Sequence, residues 1–278
     1  MREIHVTFFR GILLYICIPA YNETTTIGVL LWRIRKVFQG YSREYEIVVY
    51  DDGSNDGTGE TLLPYSEVIP LTVIRGDQRK GYAHALDVLA REVTRRTKYP
   101  RRDAMIVMQG DFTDQPEHLP ELIKRFEGGA DIVLAERDPV AGPQPVRRLR
   151  QLAPWALRFF VPITGVDDPF SSFRLIRISL LRELVKATGE KPLVQSGGWA
   201  ANVELLMQTM PLARRIERVS LAPRYDVRAR ESRVRPFADA MEMYRFAKSA
   251  RGRRIVAPAL ALAERTPAAA TARADSVT

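Results

Sequence analysis

Five short apolar runs, Leu13–Pro19, Glu46–Asp51, Leu71–Arg75, Ala104–Met108 and Asp131–Ala135, alternate with three helix-period segments, Ile27–Phe38, Ala83–Arg95 and Glu117–Phe126. The runs are nearly continuous in apolar residues, as strands covered on both faces must be. This alternation predicts an α/β fold, a doubly wound, mostly parallel sheet with flanking helices. In such sheets ligands bind beyond the carboxyl ends of the strands. The special polar residues fall there: Pro19-Ala20-Tyr21-Asn22-Glu23, Asp51-Asp52-Gly53-Ser54-Asn55-Asp56-Gly57, Gly76-Asp77-Gln78-Arg79-Lys80-Gly81 and Gln109-Gly110-Asp111. The four loops are expected to converge on one crevice.

Beyond them the pattern weakens. Arg137–Pro154 is rich in Pro, Gly and Arg and reads as a connection over the site. Helices are expected near Ile176–Ala187 and from about Gly198 to Met210, then a basic amphipathic segment over residues 236–256, starting with a helix at Pro236–Ala250. The segment after it, residues 257–278, is Ala, Thr and Arg with little pattern and is expected to be disordered. Residues 1–235 are the expected folded domain.

With 46% hydrophobic and 27% charged residues, the 278-residue chain has material for a large core, which excludes a disordered, collagenous or disulfide-stapled protein. A lone cysteine, Cys17, sits inside an apolar strand, so it reads as a buried thiol without chemistry. No apolar run approaches the roughly 18 residues that span a bilayer, and Arg10 interrupts the N-terminal stretch. A cytoplasmic protein is expected, with peripheral attachment to the inner face of the membrane as its membrane-bound variant. Charge is uneven. Up to and including Val140 there are 18 basic and 21 acidic residues, and 24 basic and 12 acidic follow, giving −3 and +12. A cationic half calls for an anionic partner, for which nucleic acid, phospholipid and phosphorylated substrates all qualify.

Each loop supports a structural and a functional reading. The run from Asp51 to Gly57 is a turn held by Asx-type bonds, or a platform whose Asp51 or Asp52 accepts hydrogen bonds from a nucleoside. Asp111, after a strand and beside slim Gly110, either caps the helix opening near Pro116 or holds Mg²⁺ or Mn²⁺ with a diphosphate and water. Arg79-Lys80-Gly81 opens a helix, so its backbone N–H groups and cations suit a phosphate or are plain solvated surface. Glu204 is the only acid on an otherwise apolar helix, hence a candidate base or a surface residue. His5, His84 and His118 are solitary, and no zinc pattern exists. Neither Gly-x-Gly-x-x-Gly nor Gly-x(4)-Gly-Lys-Ser/Thr occurs, against a dinucleotide dehydrogenase or a P-loop enzyme.

Taken in order, the motifs resemble the inverting family 2 glycosyltransferases of GT-A fold, nearest the dolichol-phosphate mannosyltransferase and polyprenyl-phosphate glycosyltransferase branch. Ile18-Pro19-Ala20-Tyr21-Asn22-Glu23 and Val48 to Thr58 look like the two nucleotide-binding motifs. Gln109-Gly110-Asp111 stands where that family carries Asp-x-Asp. Asp168-Pro169-Phe170-Ser171-Ser172-Phe173-Arg174 and Arg228-Ala229-Arg230-Glu231-Ser232-Arg233 resemble two later signatures. The likeness spans roughly residues 12–235. Gln109 departs from the first Asp, and Phe170 and Ser172 from the family's Thr and Gly.

The resemblance implies transfer of a sugar from a nucleotide diphosphate sugar, with inversion, to polyprenyl phosphate or else to a hydroxyl of a small-molecule acceptor, and gives nucleic acid no role. It implies that Pro19, Tyr21, Glu23, Asp51, Asp52, Lys80, Gly81, Gln109, Gly110 and Arg137 line the donor site, that Asp111 holds the metal, and that Glu204, Arg228 and Arg233 act on the acceptor. Arg147, Arg148 and Arg174 complete a basic set suited to phosphate. Two readings of another class remain. A sugar-phosphate nucleotidyltransferase would show a glycine-rich, Arg-containing loop after the first strand, where this chain has Pro19–Glu23. A non-catalytic nucleotide-sugar-binding protein would draw on Gln109.

Overall fold

Strands and helices alternate from the first described residues: β1 (Leu13–Ala20), α1 (Ile27–Gly40), β2 (Glu44–Asp51), α2 (Thr58–Leu62), β3 (Leu71–Arg75), α3 (Tyr82–Arg96), β4 (Ala104–Val107), α4 (Leu119–Glu127) and β5 (Ile132–Arg137). They are followed by β6 (Arg174–Arg177), α5 (Ile178–Thr188), α6 (Ala200–Thr209) and β7 (Ile216–Leu221). The computed structural model describes residues 11–137, 166–198 and 200–221, together with the helical residues 241, 245 and 248. Arg147, Arg148, Arg228, Arg233, the connection that follows Arg137 and the segment 257–278 lie outside the described residues.

The seven strands form one sheet in the order β3-β2-β1-β4-β6-β5-β7. All run parallel except β6, which pairs antiparallel with both β4 and β5. The two-residue period of β1 splits its side chains between two cores. Leu14, Ile16 and Ile18 meet α1 and α4 on one face, while Tyr15 and Cys17 meet α3, α5 and α6 on the other. Cys17 is fully buried, and burial pushes its thiol well above the ordinary value, in line with an inert core position.

The five expected strands and three expected helices are present, with ends shifted by a few residues. Three elements were not visible in the chain. The segment near Ile176 expected to open a helix is instead β6, and the helix starts at Ile178. Two of its four residues are arginines whose partners come from elsewhere in the fold: Arg177 Nε reaches Asp131 Oδ1 at 2.6 Å. Helix α2 is too short for periodicity. In β7, at the sheet edge, Glu217 pairs with Arg215 and Arg125, and Glu217, Arg218 and Ser220 break up any apolar run. In the C-terminal segment, Met241, Arg245 and Lys248 are helical and exposed, at spacings that place them on one helix face. Among the described residues no helix is long and apolar enough to cross a membrane.

Candidate functional site

The parallel register brings the carboxyl ends of β1, β2 and β4 side by side, and the loops leaving them are stitched together. After β1 the chain turns at Asn22, whose φ of 52° lies in the left-handed region that Asn tolerates. Its N–H donates to Ser54 Oγ at 2.9 Å, and its amide exchanges hydrogen bonds with Asn55. Glu23 is 4% exposed; its N–H donates to Thr58 Oγ1, its carboxylate accepts from Thr26 Oγ1, and its carbonyl accepts the first amides of α1. Pro19 is the penultimate residue of β1, and Tyr21 stacks its ring under the Arg79 guanidinium at 4.2 Å.

Asp51 and Asp52, at the end of β2, are 0% and 4% exposed. Asp51 Oδ1 accepts the Ser54 N–H at 3.0 Å; Oδ2 has no hydrogen-bond partner among the described residues and stands 3.6 Å from Arg75 Nε. Asp52 accepts the N–H of Lys80 at 2.8 Å and of Gly81 at 2.7 Å. This corrects one expectation: those amides are engaged with a carboxylate, so a phosphate here would meet the exposed Lys80 side chain instead. Gly53 sits at φ 69° with Gln78 and Arg79 backbone closer than 3 Å to where a Cβ would lie, so only glycine lets the two loops close.

Gly110 gives the loop after β4 room beside Glu23, whose Cγ would lie 3.4 Å from an added Cβ. Asp111 is 3% exposed, and its Oδ1 accepts both the N–H and the hydroxyl of Thr113. The carboxylate closes its own turn, and among the described residues no side chain caps the helices opening at Pro116 and Leu119. Asp114 accepts the Gln109 N–H at 2.9 Å and the Ser172 hydroxyl at 3.4 Å, tying the β4 loop to the Asp-Pro turn.

That turn is held from inside. Arg174, 1% exposed, donates to the carbonyls of Pro169, Ser171 and Asn202. It is therefore a buried brace, which corrects its placement in the phosphate-binding set. Glu204 is half-buried; Oε2 accepts the N–H of Gln195 and Ser196 at 2.9 and 2.8 Å, and Oε1 the Gln208 amide at 3.4 Å. It anchors the loop entering α6. Arg137 is the last residue of β5.

Sequence reasoning missed Glu136, one residue earlier. Burial raises its carboxyl above the usual range, against the Asp167 N–H and the Arg218 guanidinium, which pull it down. It also missed Asn202 and Tyr82, joined at 2.8 Å although 120 residues apart. Nothing in the chain announces contacts of that separation.

A mostly parallel sheet with one reversed strand, and with Glu23, Asp51, Asp52 and Asp111 gathered in the loops at its carboxyl edge, has the architecture of a GT-A fold. The chain belongs to glycosyl transferase family 2, whose model matches residues 15–185. It is 31% identical over 199 residues to a dolichol-phosphate mannosyltransferase of Pyrococcus furiosus, covering 69% of this chain and 52% of that protein. It is also 31% identical over 126 residues to an undecaprenyl-phosphate 4-deoxy-4-formamido-L-arabinose transferase of Pseudomonas paraeruginosa, covering 45% and 36%. The chain thus spans about half the length of the curated relatives it matches. Among solved structures, it is similar in fold to glucosyl-3-phosphoglycerate synthase from Mycobacterium tuberculosis in complex with Mn²⁺, UDP and glucosyl-3-phosphoglycerate. The TM-score is 0.61 at 22% identity, over 87% of this chain and 81% of that one.

Proposed function

We propose that this domain moves a sugar from a nucleotide diphosphate sugar to polyprenyl phosphate by a single displacement that inverts the anomeric centre. The relatives named for dolichol and undecaprenyl phosphate support the acceptor class. The observation that carries the choice between acceptors is Glu204. A hydroxyl acceptor needs a base, and this candidate holds two backbone amides of its own loop. A phosphate acceptor is already anionic and asks for cations instead, which Arg228 and Arg233 supply in this reading.

The nucleoside lies over the Asp51–Asp52 loop. Asp51 Oδ2, without a hydrogen-bond partner among the described residues, is the better candidate for a nucleoside N–H or hydroxyl, while Asp52 fixes the loop beneath. Lys80, whose side chain is exposed, and Arg137, at the end of β5, are the cations this reading assigns to the diphosphate. Among the described residues no three His, Cys, Asp or Glu side chains come together to hold a metal. The donor chemistry at Asp111 is nevertheless that of a hard cation: an oxygen ligand, with further oxygens to come from diphosphate and water, fits Mg²⁺ or Mn²⁺. When bound, that cation would stabilise the charge developing on the leaving diphosphate. Asp111 would be its protein ligand, with Thr113 fixing the carboxylate's rotamer and Gly110 keeping the approach open. The basic face carrying Arg245 and Lys248 would rest on an anionic membrane, where each cation contributes about 1 kcal/mol.

Glu204→Gln keeps an oxygen for the Gln195 and Ser196 amides, so turnover is expected to fall far less than the roughly hundredfold that loss of a general base causes. Arg228→Ala and Arg233→Ala are each expected to cost more than Glu204→Gln, because acceptor charge goes unpaired. Steady-state transfer assays with these three variants check this. A hundredfold collapse in Glu204→Gln, with the arginine variants near wild type, would return the acceptor to a hydroxyl.

A further inference from the structure

We propose that Asn202 is a positioning residue that ties the Asp-Pro turn to the nucleotide-side loop, so that a nucleotide held at one orders the other. The proposal rests on the donor crevice assigned above. The contacts run unbroken. Asp52 accepts the N–H of Gly81, and the next residue, Tyr82, opens α3. Tyr82 Oη donates to Asn202 Oδ1 at 2.8 Å, Asn202 Nδ2 donates to the Phe170 carbonyl at 3.2 Å, and the Phe170 N–H donates to Asp168 Oδ1 at 3.2 Å. The Phe170 carbonyl only accepts, which fixes the amide atom that faces it.

Asn202 is buried, and its chemistry is specific to this place. Its side chain must accept from a phenol and donate to a carbonyl at once, which an amide does and a carboxylate or an aliphatic group of that size does not. Its own carbonyl accepts Arg174 Nη1 at 2.8 Å. Asn202 and Arg174 thus grip three successive carbonyls, of Pro169, Phe170 and Ser171, from below. Shifting the turn would strand buried polar groups, a costly outcome in a dry interior. Two buried atoms of the same turn, Asp168 Oδ2 and Ser171 Oγ, find no hydrogen-bond partner among the described residues. The turn therefore carries unsatisfied polar atoms on a backbone whose position is set through Asn202.

The test compares wild type with Tyr82→Phe and Asn202→Leu by hydrogen exchange of the peptide spanning residues 166–173, using UDP and GDP as probes. In the wild type the nucleotide that binds is expected to slow exchange of this peptide by about fivefold or more. In both variants that protection is expected to vanish while nucleotide affinity by calorimetry stays within about twofold. Acceptor KM is expected to rise about tenfold with donor KM unchanged, and the double variant to be no worse than Asn202→Leu. Tyr82→Phe removes one hydroxyl and keeps the test open if Asn202→Leu fails to fold. Protection that persists in the variants, or losses that multiply in the double variant, would overturn the proposal. If neither nucleotide binds the wild type, the donor reading fails instead. Exchange of 166–173 in the unliganded proteins then decides alone, and an unchanged rate in both variants sinks the tie.

Discussion

Asp111→Asn is expected to leave the protein folded and to remove transfer almost completely, by about a thousandfold or more. The substitution keeps the oxygen that accepts from Thr113, so the turn at the end of β4 retains both of its bonds. What it removes is the negative charge that, in the proposed reading, would draw a divalent cation to the diphosphate. Lewis-acid stabilisation of that leaving group is worth several kcal/mol, and each 1.36 kcal/mol is about tenfold in rate. With Gln109 in place of a first aspartate, no second carboxylate at that position takes over. Melting curves and transfer assays at saturating Mn²⁺ check both halves. An Asp111→Asn protein with wild-type turnover in the presence of EDTA would show that no metal at this carboxylate takes part.

Asp52→Ala is expected to damage folding and nucleotide binding together. Two amides, of Lys80 and Gly81, lose their acceptor where the loop meets the start of α3. Leaving partly buried donors unpaired costs about 2 kcal/mol, a fall in melting temperature of about 5 °C for a domain of this size. Asp51→Ala acts on the other end of the turn, releasing the Ser54 amide and the Arg75 partner. A solvent-facing carboxylate in the turn would instead give weaker binding with the melting temperature nearly unchanged; the partners of Asp51 and Asp52 set the expectation apart from that. Calorimetry beside thermal denaturation separates the two. Unchanged melting temperature and unchanged nucleotide affinity in both variants would leave the Asp51–Asp52 loop as a turn with neither role.

The sheet was legible because its inner strands are buried on both faces and even edge strand β3 is largely apolar: β1 to β5 read as apolar runs, and α1, α3 and α4 carry a clean helical period. β6 was not, since Arg174 and Arg177 find partners in carbonyls and in Asp131 that come from distant chain segments. The gathering of these loops was legible because the parallel strands all end on one edge of the sheet. Which atoms in those loops are already engaged was not. The bond from Asp52 to Lys80 and Gly81 spans 28 and 29 residues, and that from Tyr82 to Asn202 spans 120. Such pairings follow from the three-dimensional packing of segments distant in sequence and leave no period or spacing in the chain. Glu204 shows the same limit: its isolation on an apolar helix was visible, but its backbone partners were not.

Sugar transfer from a nucleotide diphosphate sugar to polyprenyl phosphate is tested most directly by incubating the protein with Mn²⁺, labelled UDP- and GDP-sugars and undecaprenyl or dolichyl phosphate in detergent, then counting label in the organic phase. Label is expected to enter the organic phase from one of the donors, in a product that acid releases as free sugar, and to disappear with Asp111→Asn. Label recovered solely in a water-soluble glycoside, with the polyprenyl phosphate unaltered, would contradict it.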